Sequence, residues 1–283
     1  MKSHFKFPDK IGLGTWRMGE SENSKLEEIN AIEEAIRLGY QVIDTAEMYA
    51  NGGSEVLIGK AIKNLGYSCR DKLTLVSKVL PHNASKNGVI KACEASIKRL
   101  GCEYLDLYLL HWRGQYPFES TLEGFQNLKE RGLIKHHGVS NFDVHDLKEW
   151  TAAEQSFGLQ RTNGLATNQV FYALNARGVE FDLIPKLRED KVSLMAYSPL
   201  GGGDLIRHKK LQGLASTQGL SAAQLALAWV IRQENTVAIP KSVSKLRIKE
   251  NWSCKDLTLS TDTLLALDQI FTPPRAKTSL SVI

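Results

Sequence analysis

One rhythm constrains this chain more than anything else in it. A short β-rich run is followed by a longer amphipathic one, and the pair recurs eight times. The spacing predicts strands at 11–16, 41–44, 73–78, 105–111, 134–140, 166–170, 192–197 and 237–239. Between and after them it predicts helices at 25–38, 54–65, 86–100, 118–131, 144–157, 181–189, 222–232 and 244–251. Such alternation calls for a parallel sheet with its helices outside. Eight units in 283 residues fit a (β/α)8 TIM barrel better than an open sheet.

Local signals agree with these boundaries. Gly39, Gly101 and Gly132 follow helical runs, where a residue at positive φ closes a helix. Asn141 and Asp143 suit the start of the next helix. The stretch "PLGGGDL" reads as a loop after strand seven. Lys6–Lys10 belongs to an expected N-terminal β-lid across the bottom of the barrel, and 261–271 reads as an extra C-terminal helix. No linker or low-complexity tract interrupts the pattern, so residues 1–283 are expected to form a single domain, a length that barrels reach as one unit.

The totals exclude several classes. Net charge is only +5 and the Lys and Arg residues are scattered, unlike the clustered pattern of a nucleic-acid binder. The four cysteines show neither CxxC nor zinc-site spacing, and free thiols point to a cytoplasmic chain. "MKSHFKFPDK" lacks the apolar core of a signal peptide, and no apolar run reaches the ~18 residues of a membrane span.

In a barrel of this type the active site lies at the C-terminal ends of the strands. Those ends carry polar residues here. Strand two stops at Asp44, with Tyr49 just beyond. Strands three and four stop at Lys78 and His111. Strand five gives Ser140 and Asn141, strand six Gln169, and strand seven Tyr197 and Ser198. Each has a bland reading alone: a helix cap, a solvated strand end, a satisfied core histidine. Their concentration on one face favours a site.

The chemistry of the set is coherent. A phenol is a poor acid near neutrality, and a buried ammonium favours its phenolate. The ammonium needs a counter-ion once it leaves water. Lys78 supplies the first charge and Asp44 the second, which makes Tyr49 a general acid aimed at a carbonyl oxygen. His111 adds a second hydrogen bond to that oxygen. The set holds no nucleophile–base pair and no metal ligands. A hydride must therefore come from a cofactor. Neither "GLGTWRMG" nor any other stretch matches GxGxxG or a Walker loop. Gly12 and Gly14 read instead as backbone room in strand one.

At this point the sequence resembles the aldo-keto reductase family. The matching segments are "GLGTW", "IDTAEMY", "VSK", "LDLYLLHW", "GVSNF", "NQV", "AYSPL" and "IPKSVSKLRIKEN", in family order from Gly12 to Asn251. The resemblance implies that Asp44, Tyr49, Lys78 and His111 form the catalytic tetrad. It implies that Ser140, Asn141 and Gln169 bind the nicotinamide carboxamide, that Tyr197 stacks on the ring, and that Ser198 and Leu200 contact the pyrophosphate. Lys241, Ser242 and Arg247 would clamp a 2′-phosphate, with Glu250 and Asn251 at the adenine. Two cations and a hydroxyl make a good phosphate site, so NADP(H) is the implied cofactor.

Trp16, Met48 and Trp112 are the expected collar around the carbonyl. The loop "WRGQYP", the loop after Tyr197 and the tail "TPPRAKTSLSVI" all read as short, which predicts an open, shallow site with loose selection. Arg113 beside the pocket is expected to be solvated. The variant "IDTAEMYANGGSE" resembles a bacterial branch that includes methylglyoxal reductases, so the expected substrates are small aldehydes and 2-oxoaldehydes. Two other classes compete. A redox-sensing NADP(H)-binding module would turn over weakly, which the intact tetrad opposes. A metal-dependent barrel hydrolase would need several strand-end histidines, and His136 and His137 sit inside strand five. A monomer acting on a small carbonyl compound, without nucleic acid, membrane or metal, is the expected working unit.

Overall fold

The computed structural model describes residues 5–158 and 164–282; the first four residues of the N-terminal stretch lie outside them. In chain order the elements are β1 (Leu13–Gly14), α1 (Lys25–Leu38), β2 (Val42–Asp44), α2 (Gly53–Leu65), β3 (Thr74–Val79), α3 (Lys86–Leu100), β4 (Leu105–Leu110), α4 (Phe118–Glu130) and β5 (Ile134–Ser140). Then follow α5 (Val144–Ser156), β6 (Thr167–Phe171), α6 (Leu183–Asp190), β7 (Ser193–Tyr197), α7 (Lys209–Thr217), α8 (Ala222–Val230), β8 (Thr236–Ile239), α9 (Lys245–Trp252) and α10 (Thr261–Ile270).

The eight strands are parallel and lie in sequence order. The ring closes where Ile11 pairs with Ala238 and Gly12 N–H donates to Ala238 O at 2.8 Å. β1 is shorter than the sequence suggests because two glycines wedge it between its neighbours. A Cβ on Gly14 would stand 2.6 Å from Ile239 O, and one on Gly12 2.9 Å from Val42 Cβ. Only glycine permits that approach.

Burial sorts into two layers. The larger core lies between strands and helices, with Trp150, Phe125, Ile32 and Leu225 among its fully buried members. A smaller one fills the barrel itself: Val42, Val76, Leu107, Leu109, Met195 and Val237. Phe5 and Phe7 pack against this inner layer from below. The N-terminal segment thus covers the barrel bottom as expected, but it does so with aromatic rings in irregular backbone; no strand forms over 5–10.

Helix boundaries follow local chemistry. Gly39 and Gly101 cap α1 and α3 at φ 103° and 62°. Asp143 caps α5 in a reciprocal box with Asp146. One helix was not legible in the sequence. α7 sits between β7 and α8, so the connection after Tyr197 is long and structured, not short. Gly213 in its middle and the glycines before it hide a helix whose buried contacts are only Leu211 and Ala215.

Candidate active site

Strand periodicity builds the site. Val42, Val76, Leu109 and Met195 point into the barrel, and side chains two positions along a strand share a face. Two residues on from each stand Asp44, Lys78, His111 and Tyr197. The apolar inner layer therefore ends in a polar top. β4 itself stops at Leu110, yet His111 N–H still donates to Val79 O at 3.0 Å and holds the imidazole in line.

Lys78 Nζ is the hub. It donates to Asp44 Oδ2 at 2.8 Å, to the Thr45 carbonyl at 2.7 Å and to Tyr49 Oη at 3.0 Å. Gln169 Nε2 donates to the other Asp44 oxygen at 2.7 Å. Lys78 is fully buried and Asp44 nearly so. A buried ion pair is tolerable only when its remaining hydrogen-bonding capacity is met, and here it is.

Tyr49 stands on a strained turn. Ala50, Asn51 and Gly52 follow it at φ 50°, 52° and 81°, all in the left-handed region. Hydroxyls lock the base of this turn: Ser54 donates to Thr15 Oγ1 at 2.7 Å, and Thr15 donates to Asp44 O at 2.8 Å. Beside them the buried Glu55 accepts from Ser77 Oγ at 2.6 Å and from Arg99 Nε at 2.6 Å. A Cβ on Gly52 would lie 2.3 Å from that Arg99 Nε. Gly52→Ala should therefore both strain the backbone and push Arg99 off Glu55, costing about 1–3 kcal/mol. Thermal denaturation reads the loss; an unchanged Tm would mean the turn relaxes freely.

Burial sets the electrostatics. It pushes the Tyr49 phenol above its ordinary value, and the Lys78 ammonium offsets this only in part. The ammonium favours the phenolate as expected, but burial outweighs it and holds Tyr49 in its protonated form. Burial would lower Lys78, but the Asp44 carboxylate and Tyr49 outweigh it and hold the ammonium charged. His111 is pushed down to about 2, first by burial and then by Lys78. It is neutral at working pH. Its Nδ1 is buried without a partner, so its proton is best placed on Nε2, where a ligand or water can accept it.

That histidine carries a stability signature. Unfolded imidazole gains a proton near pH ~6.5, whereas folded His111 does so only near about 2 and buried His137 only near about 4. The unfolded chain therefore binds more protons throughout that window. The stabilisation is complete above the unfolded value and is lost as pH falls below it. Each such group costs about 1.4 kcal/mol per pH unit there. Urea melts at pH ~7.5 and ~5 should show a smaller acid loss in His111→Gln than in wild type; equal losses would contradict the buried, neutral state.

Two cavities meet over the tetrad. One, ≈ 620 Å³, is lined by Asp44, Tyr49, His111, Ser140, Asn141 and Gln169, with Tyr197 and the collar around them. The other, ≈ 590 Å³, runs away past Ser198, Leu200, Ser242, Arg247, Glu250 and Asn251. Trp16, Ser198 and Lys241 line both, so they join into one elongated groove. Every site residue expected from the sequence lines it, except Lys78, which lies behind Tyr49. Tyr197 Oη donates to Asn141 Oδ1 at 3.0 Å, and Asn141 Nδ2 donates to Ser140 Oγ at 3.2 Å and to the His111 carbonyl at 3.2 Å.

The far end of the groove suits a dinucleotide carrying an extra phosphate. Lys241 and Arg247 face it at the start of α9, and neither has a carboxylate partner among the described residues. Ser242 lies between them in sequence. Gly202 and Gly203, both at positive φ, form part of the opposite wall. Ile206, before α7, and Gln212, within it, also line this cavity, and neither was expected from the sequence.

Trp16, Met48 and Trp112 line the tetrad cavity and remain 37%, 39% and 38% exposed, which places them at a mouth rather than in a core. Two details differ. Val282 of the tail reaches back to line the tetrad cavity. Arg113 is solvent-exposed as expected, but it also carries ion pairs the sequence did not show: Nη1 donates to Asp146 Oδ1 at 2.8 Å, Nη2 lies 2.6 Å from Glu149 Oε2, and the guanidinium sits 4.8 Å over Phe118. His137 is spent on Glu154 at 2.8 Å, far from a ligand role.

Comparison with known proteins gives the class. Residues 10–271 match the sequence profile of the aldo/keto reductase family. The methylglyoxal reductase YeaE of Escherichia coli strain K12 is 41% identical over 279 residues, covering 96% of this chain and 94% of that protein. The glyoxal reductase of Bacillus subtilis strain 168 is 34% identical over 260 residues, covering 92% and 88%. An aldo-keto reductase from Klebsiella pneumoniae, crystallised with NADPH, superposes with a TM-score of 0.89 at 41% identity, covering 97% of this chain and 95% of that one. This chain belongs to the aldo/keto reductase family. No helix among the described residues is long and apolar enough to cross a membrane.

Proposed function

We propose that the protein reduces small aldehydes, including methylglyoxal and other 2-oxoaldehydes, to alcohols with NADPH. The observation that carries this is the Tyr49 phenol, protonated by its burial, 3.0 Å from a buried ammonium and open to the tetrad cavity. When bound, the nicotinamide supplies the hydride. The protein does the rest. Tyr49 Oη and the His111 Nε2–H converge on the carbonyl oxygen and fix its direction. As the carbon gains its hydride, the oxygen gains negative charge and takes the Tyr49 proton. The phenolate left behind is held by Lys78, which is itself held charged by Asp44. When the cofactor is bound, Ser140, Asn141 and Gln169 would hold the carboxamide and Tyr197 the ring. Ser198 and Leu200 would hold the pyrophosphate, Lys241, Ser242 and Arg247 the 2′-phosphate, and Glu250 and Asn251 the adenine.

The collar of Trp16, Met48 and Trp112 supports a small substrate, since it offers apolar walls and few polar groups to select distal substituents. The methylglyoxal and glyoxal reductases among the relatives support the same class. The working unit in this reading is a monomer. The four free cysteines fit a reducing cytoplasm. The test is a ranking of kcat/KM over methylglyoxal, glyceraldehyde, benzaldehyde and a bulky steroid ketone. Methylglyoxal should lead the steroid clearly; comparable values would remove the small-aldehyde assignment.

A further inference from the structure

Arg113 lines the tetrad cavity beside Trp112, and an arginine there would ordinarily attract carboxylated substrates. Its surroundings compete with this. Asp146 Oδ1 at 2.8 Å and Glu149 Oε2 at 2.6 Å occupy both terminal nitrogens, and Phe118 covers one face. Two carboxylates against one guanidinium leave the group net negative. Glu149 also faces His145 Nδ1 at 3.3 Å. The other acids on this rim do not lend it a cation: Lys277 lies 3.5 Å from Asp143 and 3.6 Å from Asp182, one ammonium between two carboxylates. Asp146 is held beside Arg113 by its place in the helix cap, where it accepts from Asp143 N–H at 3.2 Å.

We propose that Arg113 is a specificity residue withheld from anion binding by Asp146 and Glu149, so that the cavity takes uncharged carbonyl compounds in preference to those bearing a carboxylate. This rests on the carbonyl-reductase reading of the same site. It refines that reading from small aldehydes to neutral ones. It also assigns Glu149, a half-exposed residue on α5 outside the reacting groups, as the side chain that sets the balance of charge.

The test compares methyl 4-formylbenzoate with 4-formylbenzoate, two aldehydes of nearly the same shape that differ by one charge. Initial rates of NADPH oxidation by the full chain are measured at pH ~8, where histidine is ordinarily neutral, and at low ionic strength. The readout is kcat/KM, which a carboxylate binding backwards in the cavity does not alter. Wild type should favour the ester by at least ~5-fold, and ~0.5 M salt should shrink the preference. Glu149→Gln should narrow the ratio at least ~3-fold and leave the ester within about twofold of wild type, while Arg113→Ala should widen it. Equal values for ester and acid in wild type, or an unchanged ratio in Glu149→Gln, overturn this inference alone. A protein that turns over neither aldehyde overturns the reductase reading and this inference with it.

Discussion

Tyr49→Phe should lower kcat for aldehyde reduction by ~10²–10⁴-fold, the range for loss of a positioned general acid. NADPH affinity should change less than about twofold, because Tyr49 lines the tetrad cavity and not the arm of the groove that carries Lys241, Ser242 and Arg247 past Leu200. The variant should fold. Its ring keeps the same shape, and Lys78 retains Asp44 and Thr45 as acceptors at 2.8 and 2.7 Å. The loss should also resist pH. His111 is held near about 2, and Tyr49 is raised by its burial, so neither titrates near neutrality in the free enzyme. Stopped-flow or steady-state assays with cofactor titration separate the two parameters. Wild-type-like turnover would refute the acid assignment, and an equal loss of NADPH binding would mean that the ring is structural.

Arg247→Ala should weaken NADPH by ~10–100-fold, as expected for a hydrogen bond to a charged group, while NADH changes by less than about threefold. Arg247 is exposed and, like Lys241, has no ion-pair partner among the described residues. Removing it therefore uncovers no buried charge and should leave Tm nearly unchanged. The discrimination should fall as salt rises, since an exposed phosphate contact is screened. Fluorescence titration with both cofactors reads this directly. An equal loss for both would show that Arg247 supports the fold of α9 instead of reading the 2′-phosphate.

The fold was legible where one signal dominated. α1 and α3 begin and end where apolar spacing and a closing glycine agree, at Gly39 and Gly101. The tetrad was legible because strand periodicity places polar residues one step beyond an inward apolar row: Val42 before Asp44, Val76 before Lys78, Leu109 before His111. What escaped was set by tertiary context. α7 has two buried contacts and a glycine at its centre, so its helical pattern is faint, and the wall it gives the groove vanished with it. The direction of the Tyr49 shift escaped because proximity to Lys78 can be inferred from order along the chain, whereas the depth of burial that outweighs it cannot. The ion pairs of Arg113 escaped for a related reason. Its partners Asp146 and Glu149 lie in the first and second turns of α5, and only the packing of the β4–α4 loop on that helix brings them together.

The most direct test of the central claim is the rate of NADPH oxidation by purified protein when methylglyoxal is added. Saturable turnover is expected, with NADPH and carbonyl consumed in equal amounts and with kcat lowered ~10²–10⁴-fold in Tyr49→Phe. Tight NADPH binding with no carbonyl consumed would contradict it, and would turn the same groove into a sensor of the cofactor's redox state.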